Sequence, residues 1–164
     1  MNEIKYPRSF SHIGITVPDI NKAVQFYKEV MGWYVIMPPM NVKKESGMGQ
    51  MTKAVFGEDW DEFDIAHLST SDSIGIELFS FPHGIKEGPG FKPFDTGLFH
   101  FAVQDPDVEN LTKKIVEQGG QQRMPVTDLF PDDKSYKMVY VEDPFGVVFE
   151  IYSHSYEVMI KSML

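Results

Sequence analysis

An ungapped internal repeat sets the main limit on how this chain can fold. When residues 9–32 are shifted by 88 positions they align with residues 97–120, so that "SFSHIGITVPDINKAVQFYKEVMG" lies over "GLFHFAVQDPDVENLTKKIVEQGG". Identical or similar residues recur in the same order at six places: His12 and His100, Gly14 and Ala102, Pro18 and Pro106, Asp19 and Asp107, Ile20 and Val108, Gly32 and Gly120. Self-similarity at a fixed offset is typical of a repeated structural unit. We therefore expect one supersecondary unit to be used twice.

Each copy predicts a strand followed by a helix. Side chains alternate in character along the first copy, which gives one face with Ile13, Ile15 and Val17 and another with His12, Gly14 and Thr16. A Pro-Asp step then ends the strand, and its Asp is placed to cap the helix that follows. Apolar residues recur at helical spacing in both copies, as Ile20, Val24, Tyr27 and Met31 before Gly32, and as Val108, Leu111 and Ile115 before Gly119 and Gly120.

Strand-like segments follow each predicted helix. The first copy continues with "WYVIM", "FDIAHLST" and "SIGIELFSF", and the second with a piece near "QQRMPV", then "YKMVYVE" and "VVFEIYS" joined by a "DPFG" turn. Each half therefore reads as a βαβββ module, and the chain as an α+β fold. We expect a first module at residues 1–82, a Gly- and Pro-rich linker at 83–97, and a second module with a C-terminal tail at 98–164. Residues 38–53 show little apolar period and are predicted to form a mobile loop.

Composition narrows the classes of partner and metal ligand. The 164 residues include 15 Lys and Arg against 24 Asp and Glu, and the formal net charge of −9 disfavours nucleic acid and anionic membranes as partners. No apolar run approaches the ~18 residues of a membrane span, and the N-terminus lacks the pattern of a secretory signal, so we expect a cytoplasmic protein. Because the chain has no Cys, a transition metal would have to be held by His and carboxylate groups.

Carboxylates on the last strand of each module give the strongest indication of chemistry. Glu77 shares a face with Gly75 and Phe79, and Glu150 lies within an otherwise apolar strand. A carboxylate on such a face is costly to desolvate without a partner. Each module thus carries one His on its first strand and one Glu on its last. If the halves are related by approximate two-fold symmetry, the four side chains converge, and a divalent cation would satisfy them together.

The chain resembles the vicinal oxygen chelate superfamily, which includes glyoxalase, methylmalonyl-coenzyme A epimerase, extradiol dioxygenases and fosfomycin- and bleomycin-resistance proteins. The resemblance covers about residues 9–154 and is carried by "SHIGITVPDINKAVQFYKEVMGW", "IELFSF", "FHFAVQDPDVENL" and "VYVEDPFGVVFEIYS". It implies paired glyoxalase-type modules that form a cupped mixed sheet, and a homodimer. It also implies a divalent metal ion, with Zn or Ni as first candidates and Mn, Co or Fe as alternatives. The implied metal ligands are His12, Glu77, His100 and Glu150.

The same resemblance implies a lyase or isomerase that moves a proton beside a metal-bound carbonyl of a small molecule. Glu77 and Glu150 are then the candidate catalytic residues, with Glu77 as the more labile ligand and the base. Bacterial lactoylglutathione lyases carry an Arg where this chain has Thr16, so we expect glutathione adducts to be poor substrates.

Two other functions stay open. His12, His100 and Glu150 could form the triad of an extradiol-type dioxygenase. A metal-poor binding or resistance protein could instead hold an aromatic ligand in a pocket lined by Phe79, Tyr152 and Trp33. The remaining histidines fit other roles, namely a pocket wall for His67, an exposed turn for His83 and a structural role for His154.

Overall fold

The structure is a computed structural model that describes residues 8–84, 92–94, 96–130 and 132–162. Its internal contacts divide the chain into two compact units, Met1–Ile85 and Lys86–Leu164. Much of the predicted linker, namely residues 85–91 and 95, lies outside the described part. No helix within the described ranges is long and apolar enough to cross a bilayer.

The first unit is a four-stranded mixed sheet with two helices. Its elements are β1 (His12–Thr16), α1 (Ile20–Glu29), β2 (Tyr34–Lys43), α2 (Gly47–Phe56), β3 (Glu62–Ser69) and β4 (Gly75–Ser80). The strand order is β1-β4-β3-β2. The first and last strands of the module pair in parallel, whereas the other two pairs are antiparallel.

Helix α1 begins and ends for local reasons. The side chain of Asp19 accepts hydrogen bonds from the amides of Asn21 and Lys22, each at 3.1 Å, which confirms the predicted cap. The helix ends at Glu29, with Val30 as its C-cap, and Gly32 follows with a φ of +67°. The predicted apolar face of this helix was partly wrong, because Val24 and Met31 are only partly buried. The buried helical residues follow the i, i+3 and i+4 rows instead: Ile20, Ala23, Phe26 and Tyr27.

The predicted mobile loop at residues 38–53 is wrong. These residues complete β2 and enter α2, where the Ser46 side chain accepts a hydrogen bond from the amide of Gly49 at 3.0 Å. A Cβ at Gly49 would lie 2.2 Å from the carbonyl oxygen of Lys43, so only glycine fits there. The alternation of β2 was obscured because the strand is an edge strand whose register shifts between Val35 and Met40, around its Pro-Pro step.

The second unit repeats the arrangement with a five-stranded sheet, in which two of the strands are short. Its elements are β5 (Phe101–Gln104), α3 (Val108–Glu117), β6 (Gln121–Gln122), β7 (Thr127–Phe130), β8 (Asp133–Glu142), β9 (Val148–Tyr152) and α4 (Tyr156–Lys161). The order is β5-β9-β8-β6, with β7 also paired to β8. Again the first and last principal strands, β5 and β9, are parallel. The predicted α+β class, with two mixed sheets consistent with paired glyoxalase-type modules, is confirmed.

The turn before β9 forms as its sequence predicts. The Asp143 side chain accepts hydrogen bonds from the amides of Phe145 and Val147 at 2.8 and 2.9 Å, and Gly146 adopts a φ of +90°. Asp143 is almost fully buried, so these bonds also compensate its desolvation. The turn thereby fixes the start of the strand that carries Glu150.

Candidate metal centre

In the first unit, Glu77 lies between two imidazoles. It occupies β4, where the parallel pairing sets it beside Gly14 and the antiparallel pairing sets it beside His67. Nε2 of His12 lies 3.7 Å from one carboxylate oxygen of Glu77, and Nδ1 of His67 lies 3.7 Å from the other. About a quarter of the Glu77 side chain is exposed (28%), compared with 52% for His12 and 32% for His67. The group is therefore reachable from solvent.

In the second unit, Glu150 is paired in the same way but more deeply buried. Nε2 of His100 lies 3.2 Å from a carboxylate oxygen of Glu150, whose side chain is only 8% exposed. Strand pairing sets Glu150 beside Ala102 on one side and Tyr140 on the other. The Tyr152 hydroxyl donates to the second carboxylate oxygen at 3.5 Å. In each unit, therefore, one histidine and one glutamate of the predicted ligand set lie close together, His12 with Glu77 and His100 with Glu150.

Two tyrosines share the environment of Glu150. Burial, followed by a hydrogen bond and the charge of Glu150, raises the pKa of Tyr140 well above its usual range. Burial and the charge of Glu150 likewise raise the pKa of Tyr152. Both phenols therefore stay protonated at neutral pH. They can donate to Glu150 but do not act as bases there.

The two units place different residues at one equivalent position. His67 pairs with Glu77 across β3 and β4, and Tyr140 pairs with Glu150 across β8 and β9. In both units the partner precedes the glutamate by ten residues. His67 was predicted to be a pocket wall, whereas nothing was predicted for Tyr140. The spacing of ten residues between each of these side chains and the following glutamate is visible in the sequence. It indicates a contact only once the register of the two strands is known.

The donor groups suit a divalent cation. With metal–nitrogen and metal–oxygen bonds of about 2.0–2.2 Å, two ligands on a tetrahedral ion lie about 3.4 Å apart. The separations of 3.2 Å for His100–Glu150 and 3.7 Å for His12–Glu77 bracket that value. Nδ1 of His100 is buried and has no hydrogen-bond partner within the described residues. Across the described residues, no group of three or more His, Cys, Asp or Glu side chains is arranged to hold a metal ion.

The other sequence candidates fall into different settings. Trp33 stacks on Tyr27 with ring centroids 4.9 Å apart and is buried in the core, so its predicted role in a ligand pocket is wrong. His83 is exposed as predicted, with Nδ1 3.0 Å from Asp61. His154 stacks on Tyr136, with ring centroids 4.5 Å apart, in keeping with a structural role.

A comparison with protein-family models identifies the family of this chain. The sequence profile of the glyoxalase/bleomycin resistance protein/dioxygenase superfamily matches residues 9–151. No curated protein matches the chain significantly.

Solved structures share the fold at low sequence identity. A glyoxalase family protein from Bacillus cereus is 20% identical with a TM-score of 0.73, covering 93% of this chain and 97% of that one. A variant of the fosfomycin resistance protein FosX from Listeria monocytogenes, complexed with Mn(II) and 1S,2S-dihydroxypropylphosphonic acid, is 16% identical with a TM-score of 0.58. The match covers 97% of this chain and 100% of that one. A variant of glyoxalase I from Zea mays is 20% identical with a TM-score of 0.59, and the match covers 89% of this chain and 44% of that one. With a profile match over most of its length, the chain belongs to the glyoxalase/bleomycin resistance protein/dioxygenase superfamily.

Proposed function

We propose that this protein is a divalent-metal-dependent lyase or isomerase that moves a proton beside a carbonyl group of a small molecule. The observation that carries the proposal is the repeated His–Glu pair: His12 on β1 with Glu77 on β4, and His100, immediately before β5, with Glu150 on β9. In this proposal all four side chains are metal ligands. Zn or Ni are the first candidates, since imidazole and carboxylate donors suit both, and Mn, Co or Fe are alternatives.

The ion would supply Lewis acidity, which stabilises negative charge on a substrate oxygen when a neighbouring proton leaves. Glu77 is the candidate base, because its carboxylate is partly exposed and both of its oxygens face imidazoles rather than stronger hydrogen-bond donors. Glu150 is the firmer ligand, because it is buried and two tyrosines can donate hydrogen bonds to it.

The substrate is proposed to be a small molecule with two neighbouring oxygens. The FosX variant from Listeria monocytogenes, whose complex contains Mn(II) and 1S,2S-dihydroxypropylphosphonic acid, supports this class. Thr16 lies exposed on the same face of β1 as His12, at the place where bacterial lactoylglutathione lyases carry an Arg. We therefore propose that the substrate is not a glutathione adduct. The active form is proposed to be a homodimer.

Metal analysis of protein purified without an affinity tag tests the proposal. We expect about one divalent ion per chain. His12→Ala and His100→Ala should each lower the bound metal, because each removes an imidazole donor. His154→Ala is the matched control, since this imidazole stacks on Tyr136 and contacts the Ser153 hydroxyl. If both site variants keep the metal affinity of the unsubstituted protein, the site is misassigned.

A further inference from the structure

A pocket in the first unit lies beside the start of β3 and the end of β4. Its volume is about 270 Å³, and it is lined by Phe56, Asp59, Trp60, Asp61, Glu62, Phe81, His83 and Gly84. Phe81 lies just beyond the end of β4 and follows Glu77 by four residues, or about 13 Å at the usual rise of a strand. None of the lining residues belongs to the proposed metal site. The pocket therefore needs a separate explanation.

Aromatic rings form one wall of this pocket. Phe56, at the end of α2, packs edge-on against Trp60 and Phe81 with ring centroids 5.9 and 5.5 Å apart. The three rings are only partly buried, and they are anchored on the core around Phe63. The pocket thus presents fixed ring surface to whatever occupies it.

Carboxylates form the rest of the rim. Asp59, Asp61 and Glu62 line the pocket, and among its described lining residues His83 is the one group that can carry a positive charge. Nδ1 of His83 lies 3.0 Å from Asp61 and 3.6 Å from Glu62, so one imidazole faces two carboxylates. Even when His83 is protonated, the three lining carboxylates leave a net negative charge. An anionic ligand would be repelled.

The indole of Trp60 already contacts one cation of the protein. Nζ of Lys44 lies over the ring, 5.9 Å from its centroid, and forms an ion pair with Glu58 at 3.0 Å. This contact is an example, within the protein, of the attraction between an indole ring and positive charge. Aromatic rings combined with carboxylates are the groups that recognise organic ammonium ions.

We propose that this pocket binds an organic ammonium ion, with the cationic head against Trp60 and Phe81 and its charge balanced by Asp61 and Glu62. The volume suits an ammonium head with a short chain. The proposal does not depend on the metal site or on the reaction proposed above.

Choline and its uncharged isostere 3,3-dimethyl-1-butanol provide the direct test. The chain has two tryptophans, and Trp33 is buried, so Trp33→Phe leaves Trp60 as the sole indole reporter. We expect choline to change the Trp60 emission saturably, with a Kd of about 1–10 mM, while the isostere and matched NaCl do not. Calorimetric titration of the unsubstituted protein repeats the measurement, in case Trp33→Phe disturbs the core.

Charge-neutralising variants complete the experiment. Asp61→Asn combined with Glu62→Gln should weaken choline binding about fivefold or more, because it removes two of the three rim charges. Glu29→Gln, an exposed carboxylate on α1, is the matched control and should leave the Kd unchanged. Absence of saturation by calorimetry, equal binding of the isostere, or an unchanged Kd in the double variant would each overturn the proposal.

Discussion

At the scale of single residues, the two glutamates differ in their surroundings although they occupy matching positions. Glu77 faces His12 and His67 and is partly exposed, whereas Glu150 is buried among His100 and two tyrosines. A buried carboxylate with several donors is held in place, while one at the surface can change partners at lower cost. This difference is the physical basis for assigning them separate roles.

Substitution of each glutamate by glutamine separates those roles. Gln keeps the shape and one oxygen but is no longer a useful proton acceptor. Glu77→Gln should therefore spare much of the metal binding and lower kcat by at least ~10²-fold. Glu150→Gln should lower metal content and turnover together, since it removes the firmer ligand.

Metal content and turnover of both variants, measured with a substrate found by screening keto-aldehyde adducts and acyl thioesters, check this prediction. Tyr152→Phe is an additional variant, because it removes a hydrogen bond to Glu150 and leaves both carboxylates in place. Near-normal turnover of Glu77→Gln would contradict the role of Glu77 as base. It would favour the dioxygenase or binding functions, in which this residue need not accept a proton.

At the scale of elements, local sequence signals account for where the helices begin and end. Both α1 and α3 begin after an Asp whose side chain accepts amide hydrogen bonds, Asp19 at 3.1 Å and Asp107 at 3.2 Å. These signals are readable without the fold because cap and helix are adjacent in the chain. Helix α2 was missed despite its Ser46 cap, since its outer face carries exposed Met51 and Val55 and few of its residues are buried.

Removal of the α1 cap tests this local account. Asp19→Ala should lower the free energy of unfolding by about 1 kcal/mol at neutral pH, because two amides lose their acceptor. A backbone hydrogen bond from Lys22 lowers the pKa of Asp19 below its usual value, so the stabilisation by the ionised form is present above about pH 4 and is lost as pH falls through the folded-state pKa.

Urea unfolding of the unsubstituted protein and the variant, at neutral pH and at about pH 3, measures the difference. The difference in the free energy of unfolding between the unsubstituted protein and Asp19→Ala should be smaller at the lower pH. Asp19→Asn is the control, because its amide oxygen can still cap the helix but does not titrate, so its stability should lie close to that of the unsubstituted protein at neutral pH. A gap for Asp19→Ala that stays constant with pH would contradict the assignment.

At the scale of the whole molecule, metal binding should be coupled to stability. An ion that binds only the folded state at 100 times its Kd adds about 2.7 kcal/mol. For a chain of 164 residues this corresponds to a rise in Tm of roughly 5–10 °C.

Thermal unfolding monitored by circular dichroism, with Zn or Ni and then with excess chelator, measures the coupling. We expect the chelator to reverse the increase, and the combined His12→Ala and His100→Ala protein to show little response to metal. An equal increase in that double variant would mean that the metal binds elsewhere.

The sequence by itself determined the repeat, the βα start of each module, the helix caps, the turn before β9 and the faces that carry His12, Glu77, His100 and Glu150. These features depend on neighbouring residues or on the two-residue period of a strand, so the one-dimensional order contains them. Only the tertiary structure decided which strands pair and in what register. Pairing placed His67 beside Glu77 and Tyr140 beside Glu150, and it buried Glu150 while leaving Glu77 partly exposed. Such contacts join residues far apart in the chain, and their register follows from packing a whole sheet at once.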